Sequence, residues 1–280
     1  MVYADLCEVI TDRRSSYAFL SRIFREEVSS KLLSELVESH ILAGEANGAG
    51  TDVFGEFIRK LKGSNLERAA ANLAAEYASL FLNAGDHSVF PYESVYTSPE
   101  GLLMQKARDD VLREYTQQGL GKSENHNGPE DHLAVELEFM FFLCEKTVNA
   151  LQIECREQAM ACLQTQKEFL EQHLLVWCPR FCSDMAGASV SDFYRGIALL
   201  THDFLQSELG DNSQVGRTGS KTQRHKKKGN KQSRRHFLSS LAAGSAVSAM
   251  FDNYSTMVDY IFRACPRPYH PSIDTAWLFG

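Results

Sequence analysis

No stretch of this chain approaches 18 consecutive apolar residues, so no membrane-spanning helix is expected. A secretory leader is not expected either: Asp5, Glu8, Asp12, Arg13 and Arg14 stand where an apolar run would be needed. Cys-x-x-Cys is absent, and the seven cysteines are scattered and odd in number. In a chain long enough to bury a sizeable core, that pattern argues for reduced thiols in the cytoplasm rather than a disulfide frame. Catalytic signatures are missing as well. There is no Gly-x-Gly-x-x-Gly, no phosphate loop, no His-Glu-x-x-His and no serine in a nucleophile-elbow context. No alternating β segment of convincing length is found. These absences leave an all-α chain with no enzymatic signature.

What is present is helical periodicity. It places helices over about 5–27, 31–42, 51–61, 65–82, 98–118, 129–150, 153–174 and 189–208. Breaks rich in Gly and Asn separate them at 44–50, 63–65 and 119–128, while 83–97 reads as irregular. Ser98-Pro99-Glu100 has the form of a helix start, with a Ser cap and Pro first. Trp177-Cys178-Pro179 has the form of a helix stop. The expected architecture is a single helical-bundle domain over 1–210, of eight or nine helices, followed by a flexible C-terminal extension.

Charge divides the chain in the same place. Residues 212–280 carry 11 Lys/Arg against three Asp/Glu, or +8, and residues 1–211 carry 18 against 33, or −15. An acidic body with a basic tail implies a partner or self-contact. The acidic body opposes DNA, so no nucleic-acid partner is expected.

The most informative stretch runs from Gly128 to Met140. Asn127-Gly128 reads as a turn, Pro129 suits a first helical position, and Glu130 and Asp131 complement the helix dipole. Leu133, Leu137, Met140, Phe141 and Cys144 then mark one buried face. Glu136 falls on that face, four residues after His132. An acid, a histidine and a second acid thus gather at the mouth of an apolar helix. His132 and Glu136 supply two metal ligands and no third at useful spacing, so no metal site is expected.

Three segments in register resemble the TorD/DmsD/NarJ family of redox-enzyme maturation chaperones. They are Tyr77-Ala-Ser-Leu80-Phe81 with Pro91-Tyr92-Glu93-Ser94-Val95-Tyr96, then Pro129-Glu-Asp131-His132 running into Glu136-Leu-Glu-Phe-Met140, then Phe169-Leu-Glu-Gln-His173 running into Trp177-Cys-Pro179. The resemblance covers about residues 5–208. It implies an all-helical cytoplasmic chaperone with a hinge near Asp131-His132. Such a chaperone binds the twin-arginine signal peptide of a molybdenum oxidoreductase, such as a formate dehydrogenase or an S-/N-oxide reductase, while the apoprotein takes up its cofactor. Carried over residue by residue, the peptide groove would involve Tyr77, Leu80, Phe81, Pro91, Tyr92, Ser94, Asp131 and His132, with Glu136 counted beside them. Two aromatic positions are Tyr here where some members have Trp. The resemblance also raises weak guanine-nucleotide or molybdopterin-precursor binding, for which no tight site is evident. Physical chemistry supports such a groove: a carboxylate such as Asp131 suits a guanidinium, and rings such as Tyr92 suit an apolar run. Plain core filling is the competing account for Leu80 and Phe81. His173 and Trp177 read as core and helix-end structure.

The tail divides into a basic linker (211–230), a twin-arginine signal-like segment (231–250) and a segment matching no pattern, expected to be disordered (251–280). Ser233-Arg234-Arg235-x-Phe237-Leu238 is the core of such a signal, followed by a mild Ala/Ser/Gly-rich run too short to span a membrane. At position 231 it is misplaced for export. A fusion of two reading frames accounts for its origin, and a tethered pseudo-client occupying the chain's own groove for its consequence; an inert tail is the third account. The alternatives to a chaperone are a non-catalytic helical adaptor and a hydrolase-like helical enzyme centred on His132.

Overall fold

The computed structural model describes residues 2–39, 49–84, 88–122, 128–212 and 262–264. The described chain is helical throughout its body: α1 (Val2–Arg25), α2 (Ser30–Glu38), α3 (Ala49–Leu61), α4 (Leu66–Phe81), α5 (Glu93–Thr97), α6 (Lys106–Gln117), α7 (Leu133–Gln152), α8 (Arg156–Phe169), α9 (Leu175–Ala188) and α10 (Asp192–Asn212). Local chemistry sets several starts. Ser29 Oγ accepts from Leu32 N–H at 3.2 Å ahead of α2, and Asn65 Oδ1 accepts from Arg68 N–H at 2.9 Å ahead of α4. The start of α10 is capped from a distance, where Glu76 Oε1 accepts from the N–H groups of Val190 and Ser191.

α7 is the axis of the bundle. Every residue from Leu133 to Cys144 is buried, so this helix is enclosed on all sides and not only along the one face its periodicity marks. α1 and α8 pack against it, and α10 packs against α3 and α9. The α3–α10 crossing is close because of two glycines. A Cβ on Gly196 would lie 2.8 Å from Phe54, and one on Gly50 would lie 2.6 Å from the backbone of Leu200. The six described cysteines are all free thiols. Among the described residues no helix is long and apolar enough to cross a membrane.

Several helix boundaries differ from the sequence expectation. α7 begins at Leu133 with His132 as its cap, so Pro129, Glu130 and Asp131 lie ahead of the helix and not in its first turn, and α5 falls within the stretch read as irregular. Ser98 does not start a helix; it closes α5, its N–H donating to Ser94 O at 3.0 Å. Gly101 at φ +64° and Met104 at φ +58° keep the chain irregular. The N–H of Gln105 donates to Ser94 Oγ at 3.1 Å, so a tertiary acceptor takes the bond that a helix would make. Nor does Pro179 end a helix. The chain runs from α8 through a π turn (Leu170–Leu174) into α9, with Pro179 inside α9. An interior proline costs about 3 kcal/mol. Burying Trp177, Phe181 and Met185 on that helix contributes about 1.5–3 kcal/mol each, which outweighs it.

The only strands among the described residues are β1 (Leu120–Lys122) and β2 (Phe262–Ala264), which pair antiparallel with Leu120 opposite Ala264. The tail thus returns to the segment that follows α6. The twin-arginine motif Ser233, Arg234, Arg235, Phe237 and Leu238 lies outside the described residues, as does all of the linker beyond Asn212.

Candidate functional site

Two of the singled-out segments meet as a miniature sheet. Tyr92 and His132 form an antiparallel bridge, with Glu93 N–H donating to Asp131 O at 3.0 Å and Leu133 N–H donating to Pro91 O at 2.9 Å. The rings of Tyr92 and His132 meet edge to face at 4.9 Å, both half-buried at the lip of this junction. Burial, then the charge of Asp131, raises the Tyr92 phenol above its ordinary value. His132 Nδ1 accepts from Ala134 N–H at 3.0 Å and so caps α7.

Beneath the lip lies a cluster of carboxylates. Asp131 has no exposed surface. Its Oδ2 accepts from the backbone N–H of Ser94 at 2.8 Å and from the Ser94 hydroxyl. Glu93 Oε2 stands 2.9 Å from Nδ1 of His173, which the π turn carries. Glu136, fully buried, accepts from Trp177 Nε1 at 3.2 Å. Burial and the nearby charge of Glu93 raise the Glu136 carboxyl well above the ordinary range, against the opposing pull of the Trp177 N–H. Asp131 Oδ1 is buried without a hydrogen-bond partner, and the carboxyl of Glu136 meets that of Glu93. Glu130, next in the chain, takes a different route: its Oε2 accepts from Arg108 Nε at 2.7 Å.

The aromatic-Leu-Phe segment lies deeper. Tyr77, Leu80 and Phe81 all belong to the hydrophobic core. Tyr77 donates to Phe24 O at 3.0 Å, and burial pushes its phenol up to about 12. Phe81 packs against Tyr77, Phe24 and Phe181. Val89 N–H donates to Leu80 O at 2.7 Å, tying the end of α4 to the chain that leads into buried Pro91. Of the nine residues singled out, Tyr92 and His132 keep partial exposure, while the other seven are enclosed. Sequence reasoning missed Glu93 and its link to His173, although Glu93 stands between two residues that it did single out. The partner 80 residues away carries no local signal.

His132 is engaged at a helix end. Among the described residues no group of His, Cys, Asp and Glu is placed to hold a metal ion.

Comparison with known proteins gives the family. The nitrate reductase delta subunit family matches residues 45–183. The chaperone protein TorD of Vibrio cholerae serotype O1 (strain El Tor Inaba N16961) is 30% identical over 207 residues, covering 72% of this chain and 92% of that protein. The chain belongs to the TorD chaperone family. TorD of Photobacterium profundum is 33% identical over 155 residues, or 55% of this chain and 69% of that one. TorD of Shewanella piezotolerans is 29% identical over 221 residues, or 74% and 95%. As a TorD-family member the chain is a redox-enzyme maturation chaperone and not an enzyme.

Proposed function

We propose that this chaperone binds the twin-arginine signal peptide of a molybdenum oxidoreductase in the cytoplasm and holds it back from export while the apoprotein is folded and loaded. The carrying observation is the junction of Pro91–Ser94 with Asp131–Leu133. It sets two half-exposed rings, Tyr92 and His132, above the buried carboxylates Glu93, Asp131 and Glu136. The rings suit the apolar run of a signal, and the carboxyl groups of Glu93 and Asp131 beneath suit its arginines at short range. In this reading Asp131 acts by positioning: it fixes Ser94 and the entrance to α5, and its own carboxylate stays enclosed. Tyr77, Leu80 and Phe81 serve as the floor that holds this junction in place.

Fluorescence anisotropy with a labelled oxidoreductase signal peptide tests the reading. The titrants are the full chain and a full-length variant whose own Arg234 and Arg235 are alanine and whose Phe237 and Leu238 are serine. Binding at ~1 μM or tighter to the variant, weakened at least ~10-fold by replacing the peptide's arginines or by Tyr92→Ala, is the expected result. No binding to either protein up to ~100 μM overturns it.

A further inference from the structure

Between α5 and α6 three consecutive large apolar side chains stand in solvent: Leu102 at 55%, Leu103 at 43% and Met104 at 57% exposure. Single exposed apolar residues are ordinary; three in a row on a fixed support are not. The support is specific. Leu102 N–H donates to Ser98 Oγ at 3.1 Å, Gln105 Nε2 donates to Leu103 O at 3.0 Å, and Gln105 N–H donates to Ser94 Oγ. Ser94 is the residue that Asp131 holds, so the apolar triplet is braced on the site described above.

The other end of the chain comes back to this limb. β2 pairs with β1, which follows α6, and α6 begins two residues after Met104. α6 has twelve residues, about 18 Å of helix. Phe237 precedes Phe262 by 25 residues, a tether that reaches up to about 80 Å when extended. The stretch from Phe237 to Met250 carries Phe237, Leu238, Leu241, Val247 and Met250 behind a basic run. The tail sums to +8 and the body to −15, and Glu100 stands exposed two residues before the triplet.

We infer that the Leu102-Leu103-Met104 surface docks the chain's own Phe237–Met250 segment, which makes the twin-arginine-like tail an intramolecular competitor of a client's signal. The inference rests on the signal-binding reading for its consequence, but the contact stands or falls separately. A flexible segment tethered between Asn212 and β2 would meet that surface at an effective concentration of roughly 1 mM.

The test places a benzoylphenylalanine photocrosslinker at Leu103 in the full chain, held dilute, with cross-links mapped by mass spectrometry. Intramolecular cross-links to residues 237–250, lost in the Phe237→Ser/Leu238→Ser/Leu241→Ser variant, are expected. Cross-links elsewhere in the chain, or only between chains in an isotope-mixed sample, overturn the contact. In the anisotropy titration, a foreign signal peptide should bind that tail variant at least ~10-fold tighter than the unaltered chain. Equal affinity overturns the competition. Failure of the peptide to bind either protein, with the Leu103 cross-links intact, sinks the client reading and leaves the docking contact standing.

Discussion

Two groups of buried carboxylates sit in this molecule, and they are handled in opposite ways. Glu208 and Glu138 are each paired with an arginine: Arg13 reaches Glu208 across α1 and α10, and Arg25 reaches Glu138 across α1 and α7. Each pair joins two helices and cancels its own charge. Glu93, Asp131 and Glu136 meet an imidazole, a serine and an indole instead. A serine and an indole satisfy oxygen lone pairs without supplying a counter-charge, and burial answers by raising the Glu136 carboxyl well above the ordinary range. The first arrangement locks the bundle. The second leaves its carboxyl groups without an arginine partner, at a cost in stability.

The sharpest way to break the comparison is to strip a partner from the first group. Arg13→Met leaves Glu208 buried and uncompensated, and should cost about 3–5 kcal/mol. Arg13→Met/Glu208→Leu should recover most of that loss, because the charge goes with its partner. Urea midpoints at pH 7 read both. In the second group, Asp131→Ala removes the acceptor for the Ser94 N–H and hydroxyl and should cost about 2 kcal/mol in the same assay. Asp131→Asn, which retains an acceptor oxygen, should cost less than half as much.

The two groups also show what the sequence made legible. Helix periodicity and caps gave the bundle and most of its boundaries, because Ser29, Asn65 and the apolar faces act locally. The gathering of Asp131, His132 and Glu136 was visible for the same reason: all three fall within one turn and a half of chain. Misread boundaries arose where distant groups decide. Ser94 Oγ, eleven residues away, holds Gln105 outside a helix, and buried aromatics carry α9 past Pro179. The pairings Glu93–His173, Glu136–Trp177 and Arg13–Glu208 join residues 41 to 195 positions apart, and nothing in the local pattern of either partner names the other.

Glu136 sharpens the contrast through pH. Burial raises its carboxyl above the ordinary 4.5, so the folded chain retains a proton that the unfolded chain releases as pH climbs past that value. Its contribution to stability is therefore complete below about 4.5 and falls as pH rises toward the folded-state value. Glu136→Gln keeps an acceptor for the Trp177 N–H and has nothing to ionise. It should stabilise the chain at pH 7.5 and do nothing measurable at pH 4.5. Thermal unfolding across that range checks it. A Glu136 paired like Glu138 or Glu208 would give the reverse, with Gln destabilising at pH 7.5.

The smallest stability effect is expected at the apolar triplet inferred to dock the tail. Leu103 is exposed, so Leu103→Ser should move stability by no more than about 0.5 kcal/mol. Ile153 and Val190 are more exposed still, at 72% and 86%, and their replacement by Ser should be as quiet. Peptide affinity separates the three. Measured on the full chain with its own twin-arginine segment altered, Leu103→Ser should weaken a foreign signal peptide by roughly 5-fold, while Ile153→Ser and Val190→Ser leave it unchanged. Exposure alone predicts equal effects at all three positions. A difference confined to Leu103 would mean that the bracing of its loop on Ser94 and Asp131, and not mere solvent contact, makes that surface a receptor.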